Sequence, residues 1–214
     1  MLDITNFGLF ALSVFLLSVT PGPDMAYVIG QSVANGRRSG VISAAGVALG
    51  SCTHAVASAV GLTALITASP LMFTIIKYLG AAYLIYLGSK MVLGTFVKHT
   101  THHSEAEPVK TKANLTNLLS KGFITTLTNP KVLLFFISFF PQFVSPGGEH
   151  QTASFLILGM AYALIAFLTD LTFAILAGSA AGAVSQNRGL QKILDRIVGV
   201  TFIGLGLRLA LTRR

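Results

Sequence analysis

Residues 7–32 read FGLFALSVFLLSVTPGPDMAYVIGQS, and this stretch decides the fold. Phe7 to Val19 form an apolar run, Thr20-Pro21-Gly22-Pro23-Asp24 interrupts it, and Met25 to Ser32 resume it. The whole run exceeds the roughly 20 residues needed to cross about 30 Å of hydrocarbon as a helix. A proline lacks the N–H that the helix ladder needs, and its ring clashes with the preceding turn. Pro21 and Pro23 therefore predict a spanning helix broken inside the membrane. Free backbone groups are tolerated at that depth only where they are buried in protein or line a wet cavity. Thr20, Pro21, Gly22, Pro23 and Asp24 are thus candidate binding residues. A half-helix starting at about Asp24 would aim its positive dipole end at the break, which suits a substrate carboxylate. An ordinary proline kink is the plainer alternative. Ahead of this run the only charge is Asp3, so it lacks the basic region of a secretory signal and reads as the first span.

Working outward, further apolar runs occupy residues 41–67, 71–93, 116–144, 152–178 and 193–211. Hydrophobic residues make up 53% of the chain and charged residues only 10%, with a mean hydropathy of +0.74. A soluble chain is typically about 25% charged, so this sequence could not face water all round. The expected fold class is an all-α integral membrane protein of about six spans, one transmembrane domain over residues 1–214. Residues 1–93 carry the first three spans, 94–115 form a polar linker, and 116–214 carry the last three.

The halves echo each other. Asn129-Pro130-Lys131 interrupts the fourth run as Pro21-Gly22-Pro23 interrupts the first, and Pro130 follows Pro23 by 107 residues, half the chain. Lys77-Tyr78-Leu79-Gly80 with Gly88 parallels Arg196-Ile197-Val198-Gly199 with Gly206. Three spans is an odd number, so two similar halves would lie in opposite orientation, an inverted repeat with broken helices of the kind transporters use. Asn129, Pro130 and Lys131 join the candidate site on that ground.

The net charge of +8 might point to nucleic acid, but ten of the fifteen basic residues lie in or flank three inter-span segments. These are Arg37 and Arg38; Lys90, Lys98, Lys110, Lys112 and Lys121; and Arg188, Lys192 and Arg196. With six spans these segments share one side, predicted to be cytoplasmic, and no nucleic-acid partner is expected. The C-terminal pair Arg213–Arg214 disagrees with this scheme. The one cysteine, Cys52, excludes an intramolecular disulfide and a dithiol electron carrier.

A charge in hydrocarbon costs several kcal/mol unless it is paired or wet. Asp24, Lys131 and Asp170 are therefore singled out. Asp24 and Lys131 could form a salt bridge between the breaks or a substrate site. Asp170 could exchange protons, meet a substrate amine, or pack as a neutral acid. His54 lies on a stripe with Gly46, Gly50, Ala57 and Gly61, a spacing that allows close helix approach. It reads as a buried hydrogen-bonding residue, with proton coupling as the alternative. His99, His102 and His103 in the linker could bind a transition metal, but a solvated loop offers them no fixed geometry. No metal site, cofactor or catalytic constellation is expected, and the chain does not read as an enzyme.

Taken together, these residues resemble the LysE/RhtB family of amino-acid exporters. The resemblance rests on Thr20 to Asp24, Gly36-Arg37-Arg38-Ser39-Gly40, and Gly46 through His54-Ala55 to Gly61-Leu62. It continues through Lys77 to Leu84 with Tyr86-Leu87-Gly88, Gly122-Phe123, Asn129-Pro130-Lys131, Phe139 to Phe143, and Gly199 to Gly204-Leu205-Gly206-Leu207-Arg208. It covers essentially the whole chain. What it implies is efflux of homoserine-, threonine-, leucine- or lysine-like amino acids across the bacterial inner membrane by proton antiport. The implied partners are the lipid bilayer, the amino acid, protons, and a second copy of the chain should it form a homodimer. A divalent-metal or other small-solute exporter is the rival reading.

Overall fold

A computed structural model describes residues 2–96, 114–145, 147–177 and 188–211. His99, His102, His103 and Arg213–Arg214 lie outside the described residues. The described residues are almost entirely helical: α1 (Phe7–Val19), α2 (Pro23–Asn35), α3 (Arg37–Ala68), α4 (Pro70–Gly94), α5 (Leu115–Leu127), α6 (Pro130–Phe139), α7 (Gln151–Leu176) and α8 (Arg188–Leu211). A 3-10 turn, Phe140–Phe143, prolongs α6. Gly94 belongs to α4 and Leu115 to α5, so the polar linker is shorter at both ends than residues 94–115.

Both expected breaks are present. α1 and α2 meet at a bend of 53°, and α5 meets α6 with its 3-10 extension at 52°. Each second half-helix begins with proline, Pro23 or Pro130, at a position where the missing N–H would have had no helical partner anyway. Arg37–Ala64 of α3 and the whole of α7 are long and apolar enough to cross a membrane unbroken, and each bent pair meets the same measure as one span. α4 and α8 contain 25 and 24 residues, which is about 36 Å of helix each. The order is a bent pair and two straight helices, then the same again.

Close glycine contacts fix the helix directions. A Cβ on Gly46 would meet Leu119 and one on Gly50 would meet Phe123, so α3 and α5 run parallel. Gly159 abuts Ala55 while Gly40 abuts Ala174, so α3 and α7 run antiparallel. Gly88 abuts Gly199 and Gly206 abuts Ala81, which makes α4 and α8 antiparallel. These relations are those of six rods crossing alternately. They gather Arg37, the end of α4, the start of α5 and Arg188 at one basic rim. There Arg196 Nε donates to Thr95 Oγ1 at 2.9 Å, and its guanidinium lies 4.8 Å from the Phe96 ring centroid.

The opposite rim is closed by a clasp. Ile4 and Val144 form an antiparallel bridge, Thr5 N donates to Phe143 O at 2.8 Å, and Ser145 N donates to Asp3 O at 2.8 Å. Asp3 N donates to Ser154 Oγ at 3.0 Å, and the Asp3 carboxylate accepts from His150 N at 2.7 Å. Between the clasp and the breaks lies an aromatic wall of Phe10, Phe135, Phe136, Phe139, Phe140, Phe143 and Phe155, all buried. Phe136 stacks on Phe140 at 4.3 Å, and Phe10 meets Phe140 and Phe143 edge-on at 5.3 Å. The polarity of the surface is inverted: Leu49, Val56, Val60, Leu79, Tyr86, Leu164, Leu168 and Val200 all face outward. Water would not tolerate so large an apolar surface on a monomer, whereas lipid does.

The small-residue stripe of α3 is only partly an interface. Gly46 and Gly50 press on α5, but Ala57 is exposed and Gly61 has open space beside it.

Candidate functional site

The sequence at each break sets its local geometry. At the second, Asn129 caps α6: its Oδ1 accepts from Lys131 N at 3.0 Å, which leaves its amide N free to reach elsewhere. At the first, Gly22 stands at the cap of α2 and has no side chain to offer, so α2 begins without a side-chain cap. Asp24 lies in that first turn, where a negative charge complements the helix dipole.

Two long-range bonds tie the breaks together. Asn129 Nδ2 donates to Asp24 Oδ2 at 3.0 Å. Lys131 Nζ donates to the carbonyl of Thr20 at 2.9 Å, at the C-terminal end of α1, where a cation is favoured. Hydrogen bonds to charged groups contribute about 1.5–3 kcal/mol each. Gly22 lies close beside this bond: a Cβ there would sit 3.3 Å from Lys131 Nζ, a flexible side-chain end that can give by a few tenths of an ångström.

These residues line a crevice with Asp170. Thr20, Gly22, Asp24, Asn129, Lys131 and Asp170 all face it, joined by Ser18, Ser51 and Tyr162. Its apolar lining comes from Leu17, Met25, Val47, Val132 and Ala166. The empty space is about 380 Å³ with its open mouth included. Asp170 is 5% exposed and makes no hydrogen bond among the described residues. Asp24 Oδ1 and Thr126 Oγ1 are buried without hydrogen-bond partners of acceptable geometry, although Thr126 is near enough to act on the Asp24 carboxyl.

Not every expected residue is brought to the crevice. Pro21, Pro23 and Pro130 are exposed and shape the breaks without lining the space between them. His54 is buried behind it, where Nε2 lies 3.2 Å from the carbonyl of Thr126 and the ring tilts against Phe136 at 5.5 Å. A carbonyl can only accept, so Nε2 is the protonated nitrogen. Among the described residues no three His, Cys, Asp or Glu side chains converge as a metal site would require.

A model of the family described as LysE type translocator matches residues 15–213. The chain belongs to that family. A leucine efflux protein of Enterobacter sp. (strain 638) is 32% identical, over 97% of this chain and 96% of the relative. A leucine efflux protein of Salmonella choleraesuis is 31% identical over 97% and 95%. An uncharacterized membrane protein of Pseudomonas aeruginosa is 37% identical over 98% and 96%. No solved structure matches. In this LysE type translocator both helix breaks and every lining residue fall within the matched range.

Sequence reasoning did not find Tyr162, Ser51 or Ser18. A signal for Tyr162 was available: with Ala166 and Asp170 it repeats every four residues, and so shares one face of α7 with the acid that was singled out.

Proposed function

We propose that this chain exports neutral amino acids with apolar side chains, leucine-like in size, across the bacterial inner membrane in exchange for protons. The basic rim faces the cytoplasm on this reading. The observation that carries it is the crossing of the breaks, where opposite charges, an uncapped helix start and an apolar lining surround one crevice. A zwitterion needs those three things. Its carboxylate fits the uncapped N-terminus of α2 beside Lys131. Its ammonium fits Asp170, a buried acid with no hydrogen bond of its own. Leu17, Met25, Val47, Val132 and Ala166 suit an aliphatic side chain better than a lysine. The names of the leucine efflux relatives support the same substrate class.

The proton belongs on Asp170 rather than His54 in this scheme. A buried carboxylate at this depth is costly unless a proton neutralises it or an ammonium meets it, and Asp170 lines the crevice whereas His54 is buried behind it. The order of elements supports a further part of the proposal, that residues 1–93 and 116–214 are inverted repeats with Pro23 and Pro130 as counterparts. The protein is then a secondary transporter and not an enzyme. The test is counterflow in proteoliposomes with labelled leucine, threonine, homoserine and lysine, with and without a pH gradient. Leucine should exchange fastest, and an imposed gradient should drive net movement. Exchange of none of the four would overturn the reading.

A further inference from the structure

Tyr162 is the residue that the reading above leaves without a task. Its side chain is 3% exposed, yet its hydroxyl has no hydrogen-bond partner among the described residues. An unpartnered hydroxyl on the lining of a crevice is a donor and an acceptor that a solute can use. The ring lies among the plates of the aromatic wall, edge-on to Phe136 at 4.7 Å and tilted against Phe135 at 5.6 Å and Phe140 at 6.4 Å. The same residue lines the crevice with Asp24 and Asp170. On α7 it lies two turns beyond Asp170, toward the rim that the clasp closes. Among the described residues that line the crevice, Tyr162 is the one whose ring joins the wall by aromatic contact, beside Leu17, Val132 and Ala166, which pack against the same cluster.

We propose that Tyr162 is the gate of the transport path: its hydroxyl binds the charged head of the substrate, and its ring seals the crevice from the clasped rim. This rests on the amino-acid export reading for its substrate, but not for its seal. A solute in the crevice gives the hydroxyl its missing partner, and the same contact pulls on the first plate of the wall. Substrate occupancy is thereby linked to the one barrier between the crevice and the far side.

Two variants separate the two roles. Tyr162→Phe keeps the plate and loses the hydroxyl; KM for the exported amino acid should rise about tenfold or more, the loss expected for a hydrogen bond to a charged group. Tyr162→Ala removes the plate. Its effect is read in a Cys52→Ser background carrying Ser51→Cys, a crevice residue, with a membrane-impermeant thiol reagent applied from the clasped rim. Ser51→Cys should be unreactive with Tyr162 or Tyr162→Phe present, and reactive with Tyr162→Ala. The proposal is overturned by an unchanged KM in Tyr162→Phe, by Ser51→Cys reacting while Tyr162 is intact, or by no gain of reactivity in Tyr162→Ala. The thiol readout needs no substrate, so a wild type that moves no amino acid would sink the export reading while the seal is still decided.

Discussion

The contact between α3 and α5 gives the sharpest test of the fold, because it is made by backbone on both sides. A Cβ on Gly46 would sit 2.3 Å from the Leu119 carbonyl oxygen, and one on Gly122 would sit 2.5 Å from the Ser43 carbonyl oxygen. Ordinary contact begins at 3.4 Å, so either alanine forces the helices apart by about an ångström. No rotamer can relieve a clash with a carbonyl. A gap of that size forfeits a quarter to a half of the dispersion attraction across the face, and overpacking of this kind costs about 1–3 kcal/mol. Gly46→Ala and Gly122→Ala should each lower stability by that amount in detergent unfolding. The double variant should fall little further, since one separation relieves both clashes and the two changes must couple. Gly30→Ala is the internal control: nothing lies within 4 Å of its Cβ, so it should gain about 0.5–1 kcal/mol from helix propensity. Additive losses in the double variant would mean the two glycines do not share one interface. A stabilising Gly46→Ala would refute the packing outright.

Three further outcomes follow from the site and the clasp. Gly22→Ser gives α2 the cap it lacks; stability should rise by only a few tenths of a kcal/mol while efflux falls, because the new hydroxyl occupies the N–H groups proposed for the substrate carboxylate. Efflux at the wild-type rate in that variant would remove the carboxylate assignment. Ile4→Cys with Val144→Cys, in a Cys52→Ser background, joins a bridged pair whose Cα atoms lie within disulfide reach; oxidation should arrest export and reduction restore it, and undiminished export by the oxidised protein would make the clasp a static strap. Asp170→Asn should abolish gradient-driven efflux and weaken gradient-free exchange as well, since the amide retains the shape but can neither titrate nor pair its charge with the substrate ammonium; retained exchange would leave Asp170 the proton but not the ammonium, and wild-type rates in both assays would return it to packing.

The spans and their breaks were legible because they are written locally. A proline removes its donor wherever the chain goes, and the length of an apolar run needs no partner to be measured. Asp24, Lys131 and Asp170 were legible for a related reason, as charges inside apolar runs. What they touch was not. A salt bridge between Asp24 and Lys131 was one expectation; the hydrogen bonds run from Asn129 to Asp24 and from Lys131 to the Thr20 carbonyl, with the Lys131 ammonium also acting on the Asp24 carboxylate. A backbone carbonyl freed by a break has no sequence signature as an acceptor. The stripe on α3 misled in its second half for a tertiary reason: α5 ends at Leu127 and the chain then bends by 52°, so Ala57 and Gly61 lose the neighbour that Gly46 and Gly50 keep. Tyr162 was hidden because an aromatic in an apolar run reads as core, and much of its ring is core.

Asp24 and Lys131 occupy the same place in their half-helices, one residue after the proline, yet carry opposite charge. An acid there is stabilised by its own helix, whereas a lysine at the same place opposes the dipole of α6. The second break compensates in two ways. Asn129 caps α6 with its carbonyl oxygen, and the Lys131 ammonium crosses to the C-terminal end of α1, where the dipole has the opposite sign. Each charge is thus answered by a helix end or an amide, and each answer of long range comes from the other half of the chain. The halves are therefore held at the crossing by a few bonds of about 1.5–3 kcal/mol, among groups of the same chemistry as an amino acid's own carboxylate and ammonium. Bonds of that size are strong enough to keep an empty crossing shut. They are also weak enough for a zwitterion to replace one by one, which an export cycle of the proposed kind requires.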